Sequence, residues 1–234
     1  RGEGLTIADG EEVWWFEIYG VGPLWKPGDG PGAIWAAQRV PDDHMMVNGN
    51  ASIIGEIDLE TNLPPGVSAD DFMICENYLQ STIELGLWQE GQEGPFIWKK
   101  VIGTIGTWNP RLWRVFSMFQ PSGNWEYGGD TSQYPFSFRP DRLVSVYDII
   151  ELYRDVMDDT PGSQLAQEAW FYTDRNGNRV LSPLATPQPG TDIRNLLGLP
   201  STPRLIGVQS TSCYFINQTR SWLPPDIGAV SWLG

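Results

Sequence analysis

Apolar positions fall at helical spacing most clearly between Val146 and Met157, where Val146, Ile149, Ile150, Tyr153 and Met157 share one face. Ser145 is placed to cap this segment, Asp148 sits where a capping-box acid belongs, and Val144 can staple onto Ile149. The pattern predicts an amphipathic helix that packs on the core. A shorter helix is predicted from Pro110 to about Phe119, because Asn109 supplies an N-cap and proline suits the first helical position. Pro121 and the Gly- and Asn-rich stretch to Tyr134 end it. Ser68-Ala69-Asp70-Asp71 opens a third helical region that runs towards Trp88.

Elsewhere the pattern is strand-like. Leu5 to Ala8 and Val13 to Tyr19 read as two strands joined by the tight-turn pair Asp9-Gly10. Residues 20–32, rich in glycine and proline around Trp25, read as a loop. The stretch from Ala33 to Asp58 reads as a hairpin, broken at Pro41-Asp42-Asp43 and resuming as a second strand that carries Asn48 and Asn50. Four consecutive strands would then form one antiparallel sheet. An unpaired buried amide costs about 1–3 kcal/mol, so an asparagine in such a strand must find internal partners or face a cleft. That makes Asn50 the first candidate for function.

Gln89 to Gly94 reads as a polar loop, residues 159–204 as loop-rich with a turn at Asp174-Arg175-Asn176-Gly177, and Leu205 to Asn217 and Ile227 to Leu233 as closing strands. Strands, then helices, then strands again predict a layered α+β fold with antiparallel sheets rather than alternating βαβ units.

The 234 residues can bury a sizeable core, and no stretch approaches the roughly 20 apolar residues that span a membrane. A formal charge of −14 repels phosphate backbones and anionic lipid, which argues against nucleic acid as a partner. Two cysteines, Cys75 and Cys213, are too few for a disulfide framework, although one bridge between them is open. Asn50-Ala51-Ser52 and Asn217-Gln218-Thr219 fit the glycosylation sequon and so favour a secreted or lumenal location, with the cytoplasm as the alternative. The chain opens on Arg1 with a strand pattern close behind, so it is expected to be a piece of a longer polypeptide.

Histidine occurs once, at His44, which leaves little room for a Ser-His-Asp or Cys-His site, and no zinc spacing or phosphate loop is present. No metal or cofactor is called for. Hydrolysis without histidine is open to an N-terminal Cys, Ser or Thr that uses its own α-amine as base. Such a site still needs donors for the tetrahedral oxyanion, each worth about 2.7–4 kcal/mol. The chain offers the asparagine and arginine for this, not the nucleophile.

Five blocks, GEGLTIADGEEVWWFEI, RVPDDHMMVNGNASIIGEID, NPRLWRVFSMFQPS, YPFSFRPDRLVSVYDIIELYRD and TRSWLPPDIGAVSWLG, resemble in this order successive parts of the C69 dipeptidases, to which the secernins are related. The resemblance covers most of the chain and is weakest from about Asn176 to Pro203. It implies an N-terminal-nucleophile hydrolase with an αββα sandwich, incomplete here, so that residues 1–234 form part of a single domain. It also implies a cysteine nucleophile upstream of this chain, supplied by the same precursor, and a dipeptide or small amide substrate. By position, Asn50 matches the oxyanion asparagine of the wider superfamily, with Asn48 the alternate if the register differs. Arg111 matches the active-site arginine, and Arg114, three residues on, shares its helix face as a second substrate-binding candidate. A homo-oligomer is a further expected partner.

Two rivals stand beside this reading. One is a member of the same fold that has lost catalysis and serves as a structural subunit. The other is a carbohydrate binder or glycoside hydrolase, suggested by twelve tryptophans and by Glu17 and Asp58 as an acid pair.

Overall fold

The computed structural model describes residues 2–20, 22, 26, 32–103, 106–211 and 214–234. It is a mixed α+β structure with small antiparallel sheets, and the chain divides into two compact units. The first comprises residues 1–107, 130–140 and 218–230, and the second residues 108–129, 141–217 and 231–234.

The first unit is built on a four-stranded sheet. Strands β1 (Gly2–Ala8), β2 (Val13–Gly20) and β3 (Ala33–Val40) run antiparallel, with Leu5 opposite Phe16 and Phe16 opposite Ala37. The first two are the predicted pair, and Asp9 Oδ1 holds their turn by accepting the N–H groups of Glu11 and Glu12. The predicted loop at 20–32 falls largely outside the described residues. The inward face of β2 carries Trp15 and Glu17, both buried, while Trp14, Phe16 and Ile18 point outward.

The predicted second arm of the Ala33–Asp58 hairpin does not form. The break at Pro41-Asp42-Asp43 is a turn, as expected, but the chain then runs irregularly to a two-residue strand, β4 (Glu56–Ile57). The cause is local: Ala51 N–H donates to Asn48 O at 2.8 Å, and between them Gly49 and Asn50 have φ of 54° and 67°. Two successive positive φ angles make a primed turn, which cannot continue a strand. The fourth place in the sheet is taken by β5 (Phe72–Ile74), which pairs with β3 through Ala37 and Met73. This corrects the helical region predicted from Ser68. Ser68 does cap a single 3₁₀ turn, Ala69–Asp71, but the Phe-Met-Ile that follows is extended, and the helix α1 (Tyr78–Glu84) begins later. Strand β6 (Phe96–Ile97) pairs with β4 and leads into the one-turn helix α2 (Trp98–Val101).

In the second unit, helix α3 (Pro110–Phe119) forms as predicted. Asn109 Oδ1 accepts the N–H groups of Arg111 and Leu112, and Leu112, Trp113, Val115, Phe116 and Phe119 are buried. Trp108, Trp113 and Tyr127 pack ring against ring, with centroids 4.8–6.1 Å apart. Helix α4 (Val146–Arg154) has the predicted Ser145–Asp148 capping box. It ends three residues early, where Asp155 leaves helical geometry, and none of its residues is fully buried, so it is not the core helix expected. Met157 instead drops into the core as a separate, fully buried side chain with φ 56°. The loop-rich segment also contains a hairpin, β7 (Phe171–Thr173) with β8 (Arg179–Leu181), turned at Asp174, and helix α5 (Thr191–Leu197). At the C-terminal end, β9 (Phe215–Thr219) pairs with β10 (Ala229–Leu233) after the one-turn helix α6 (Pro225–Gly228). Of the predicted strand from Leu205 to Asn217, residues 215–217 are extended, and residues 212–213 lie outside the described residues.

Candidate active site

Asn50 lies in the first unit and Arg111 in the second, and each has a defined local setting. Asn50 is exposed at the third position of the Asn48–Ala51 turn rather than in a strand. Its left-handed backbone suits asparagine among the non-glycine residues. Its own N–H donates to Asn48 Oδ1 at 3.3 Å, which commits the Asn48 side chain to the turn. The Asn50 carboxamide has no hydrogen-bond partner among the described residues.

Both ends of this segment are tied down. Met45 and Phe138 exchange two main-chain hydrogen bonds, at 2.8 and 2.9 Å, on one side. On the other, the N–H groups of Ile53 and Ile54 donate to Glu17 Oε1 at 2.5 and 3.2 Å. The same carboxylate accepts the indole N–H of Trp15 on Oε1 and of Trp98 on Oε2, each at 3.0 Å. Glu17 is 2% exposed. Burial pushes its carboxyl above the usual range, against the pull of those four donors. The glycoside-hydrolase rival paired Glu17 with Asp58 for acid–base work. The structure corrects this: Glu17 is enclosed beneath the sheet, and Asp58 Oδ1 accepts the N–H groups of Glu60 and Thr61 in a turn of its own. The signal for it was present, a lone acid at an inward position of an otherwise aromatic and aliphatic strand.

A cleft of about 360 Å³ opens in the same unit, lined among others by Asp9, Glu12, Asp42, His44 and Met46. Asn48 and Asn50 are not among its lining residues. His44 shares a hydrogen bond of 2.9 Å with Ser137 Oγ and sits near Asp43. Cys75 is a free, half-buried thiol whose sulfur accepts the N–H of Trp35, and burial pushes its pKa up. Its proposed partner, Cys213, lies outside the described residues.

Arg111 is half-buried on α3 and donates from Nε to Leu205 O at 2.8 Å. Its terminal nitrogens have no hydrogen bond or ion pair among the described residues. Burial, and next the charge of Arg204, lower its pKa from the ordinary arginine value, as expected for a guanidinium short of counter-charge. Arg114 is engaged instead: Nε and one terminal nitrogen grip Asp155 at 2.7 and 2.9 Å, and the same terminal nitrogen reaches Asp159 at 2.7 Å. Asn217 is also in use, its Oδ1 accepting from Ser231 Oγ at 2.7 Å. Among the described residues no three His, Cys, Asp or Glu side chains are grouped to hold a metal, and no helix is long and apolar enough to cross a membrane.

The fold and these side chains define an α+β chain that offers, among the described residues, a carboxamide without a partner on a tethered turn and, on a capped helix, a guanidinium held only at Nε. The chain belongs to peptidase family C69, whose profile matches residues 1–234. It is 28% identical over 154 residues to "Probable dipeptidase B" of Lactococcus lactis subsp. lactis (strain IL1403), covering 62% of this chain and 28% of that protein. It is 24% identical over 233 residues to "Dipeptidase A" of Lactobacillus helveticus, covering 98% of this chain and 40% of that protein. The chain thus spans less than half the length of these relatives.

Proposed function

We propose that this chain is part of a cysteine-type dipeptidase of the N-terminal-nucleophile class, folded as an αββα sandwich within a single domain whose remainder lies outside these residues. The observation that carries the reading is family membership along the whole chain, with relatives named as dipeptidases on both matches. The outer face of the main sheet supports a further layer: Leu5, Phe16, Ala37 and Met73 form one cross-strand row, and Leu5 and Ile7 are 49% and 51% exposed. Trp15, Trp98 and Trp113 are buried, which removes them as platforms for sugar.

In this reading a cysteine thiol from the same precursor passes its proton to the cysteine's own α-amine and attacks the peptide carbonyl as the thiolate. The Asn50 carboxamide N–H donates to the oxyanion as charge develops. The leaving amine takes the proton back, and water then cleaves the thioester. Arg111, whose terminal nitrogens have no partner among the described residues, holds the substrate carboxylate, and Arg114 supports the helix that presents it. Asn48 shapes the turn. A used sequon at Asn50 would be incompatible with this role, and a secreted or lumenal location belongs with the sequon at Asn217 instead.

The test is hydrolysis by the family-length protein. Free amino acids should appear from unblocked dipeptides, and substitution of the mature N-terminal cysteine by alanine should abolish their release. A folded family-length protein that leaves dipeptides intact would refute the reading.

A further inference from the structure

We propose that Glu17 is a positioning residue for this reaction: its carboxylate fixes the Asn50 turn by holding the main chain of Ile53 and Ile54. The proposal rests on the reading of Asn50 as the oxyanion donor.

Among the described residues the Glu17 carboxylate meets four donors and no acceptor. Oε1 takes the indole N–H of Trp15 and two consecutive main-chain N–H groups, and Oε2 takes the indole N–H of Trp98. A protonated carboxyl would point its own O–H at donors, so the set fits the anion. Burying a carboxylate is costly unless every lone pair is used, and an apolar side chain would fill the same volume more cheaply. What the carboxylate adds is direction. Ile53 and Ile54 precede β4, so no neighbouring strand takes their N–H groups, and Glu17 does.

The carbonyl side of the segment is held by another element. Lys99 N–H donates to Ile54 O at 3.0 Å and Trp98 N–H to Gly55 O at 2.9 Å. Trp98 therefore touches the clamp twice, through its main chain and its indole. The Lys99 ammonium donates to Tyr134 O at 3.2 Å and feels the Glu17 charge from there. With Met45 fixed to Phe138, the eight residues between Met45 and Ile54 are pinned at both ends, and Asn50 projects from the only sharp turn between the two anchors. Asn50 lies three residues from the Glu17 anchor. A donor that must meet a developing charge within a fraction of an ångström gains from such a hold, because a misplacement near 1 Å can cost about 10²-fold in rate.

The experiment uses the family-length protein, wild type, Glu17→Gln and Glu17→Asp, with hydrogen exchange of the peptide covering residues 46–55, the indole N–H resonances of Trp15 and Trp98, and dipeptide kinetics. The glutamine turns an N–H₂ towards donors, and the aspartate keeps the charge but draws it back by one methylene, a second chance at a folded variant. The expected result is faster exchange confined to 46–55, shifted indole resonances, and kcat lowered by about 10- to 100-fold at little-changed KM. Exchange at the wild-type rate in a folded variant overturns the proposal, as does faster exchange with kcat unchanged or a change confined to KM. If the wild-type protein cleaves no dipeptide, the dipeptidase reading has failed, and the exchange of 46–55 alone then decides whether Glu17 holds the turn.

Discussion

Arg114 grips Asp155 with two prongs, Nε to Oδ2 at 2.7 Å and a terminal nitrogen to Oδ1 at 2.9 Å, with the two side chains 12% and 8% exposed. The pair joins α3 to the residue that ends α4. Removing Asp155 leaves Arg114 with only the exposed Asp159 as counter-charge. Asp155→Ala should therefore lower stability by about 1–3 kcal/mol in chemical denaturation. Asp159, the exposed second partner of Arg114, should matter far less: Asp159→Ala should cost below about 1 kcal/mol. Equal effects would place the strength of the cluster elsewhere.

Arg111 stands on the same helix face with the opposite character. Held at Nε by Leu205 O and otherwise unpaired among the described residues, it should be dispensable for stability and not for activity. A charge-assisted hydrogen bond to a carboxylate is worth about 1.5–3 kcal/mol, so Arg111→Ala in the family-length protein should lower kcat/KM by roughly 10- to 100-fold. Arg111→Lys should recover little, since a lysine cannot hold the Leu205 carbonyl and the substrate with one planar fork. Wild-type kcat/KM in Arg111→Ala would assign the residue to packing.

Asp148 is held down to about 2 from its ordinary 3.8, first by the Ser145 hydroxyl, then by the Ser145 main-chain N–H, and by Arg142. A carboxylate whose folded pKa is depressed contributes stability above its unfolded pKa and loses it as pH falls through the folded one. The α4 capping box should accordingly weaken between about pH 4 and pH 2, visible as a carboxyl titration of Asp148 centred near the lower value. Ser145→Ala should move that titration up towards the ordinary value and destabilise the helix by about 1 kcal/mol.

Cys75 should behave as a packing thiol. Its raised pKa and its bond from the Trp35 N–H both follow from burial beside β3, so a thiol reagent should modify it slowly in the native protein and rapidly after denaturation. Cys75→Ser should leave dipeptide hydrolysis intact. Loss of activity without loss of fold would contradict the packing role.

What was legible in the chain was whatever a few neighbouring residues decide. Asn109-Pro110 caps and starts α3, Ser145 and Asp148 close on each other, and Asp9 turns β1 into β2, because each depends on contacts within four residues. What was not legible depended on distant partners. Phe72-Met73-Ile74 is extended because β3 offers an edge, and nothing near Ser68 announces that edge. The apolar stripe of α4 reads as a core face, yet its burial depends on surroundings that local spacing does not encode. Asn48-Gly49-Asn50 is a turn signal in its own right, overruled in the reading by the apolar residues around it. Glu17 could be picked out as an odd acid, but its four donors come from its own strand, from 36 and 37 residues away and from 81 residues away.

The most direct measurement of the account is dipeptide turnover by the family-length protein carrying Asn50→Gly. Glycine accepts the positive φ of this turn, so the main chain is kept and only the carboxamide is lost, whereas alanine would disturb both. The account predicts a folded protein whose kcat falls by roughly 10²- to 10³-fold, the value of one oxyanion donor. Turnover at the wild-type rate would contradict it.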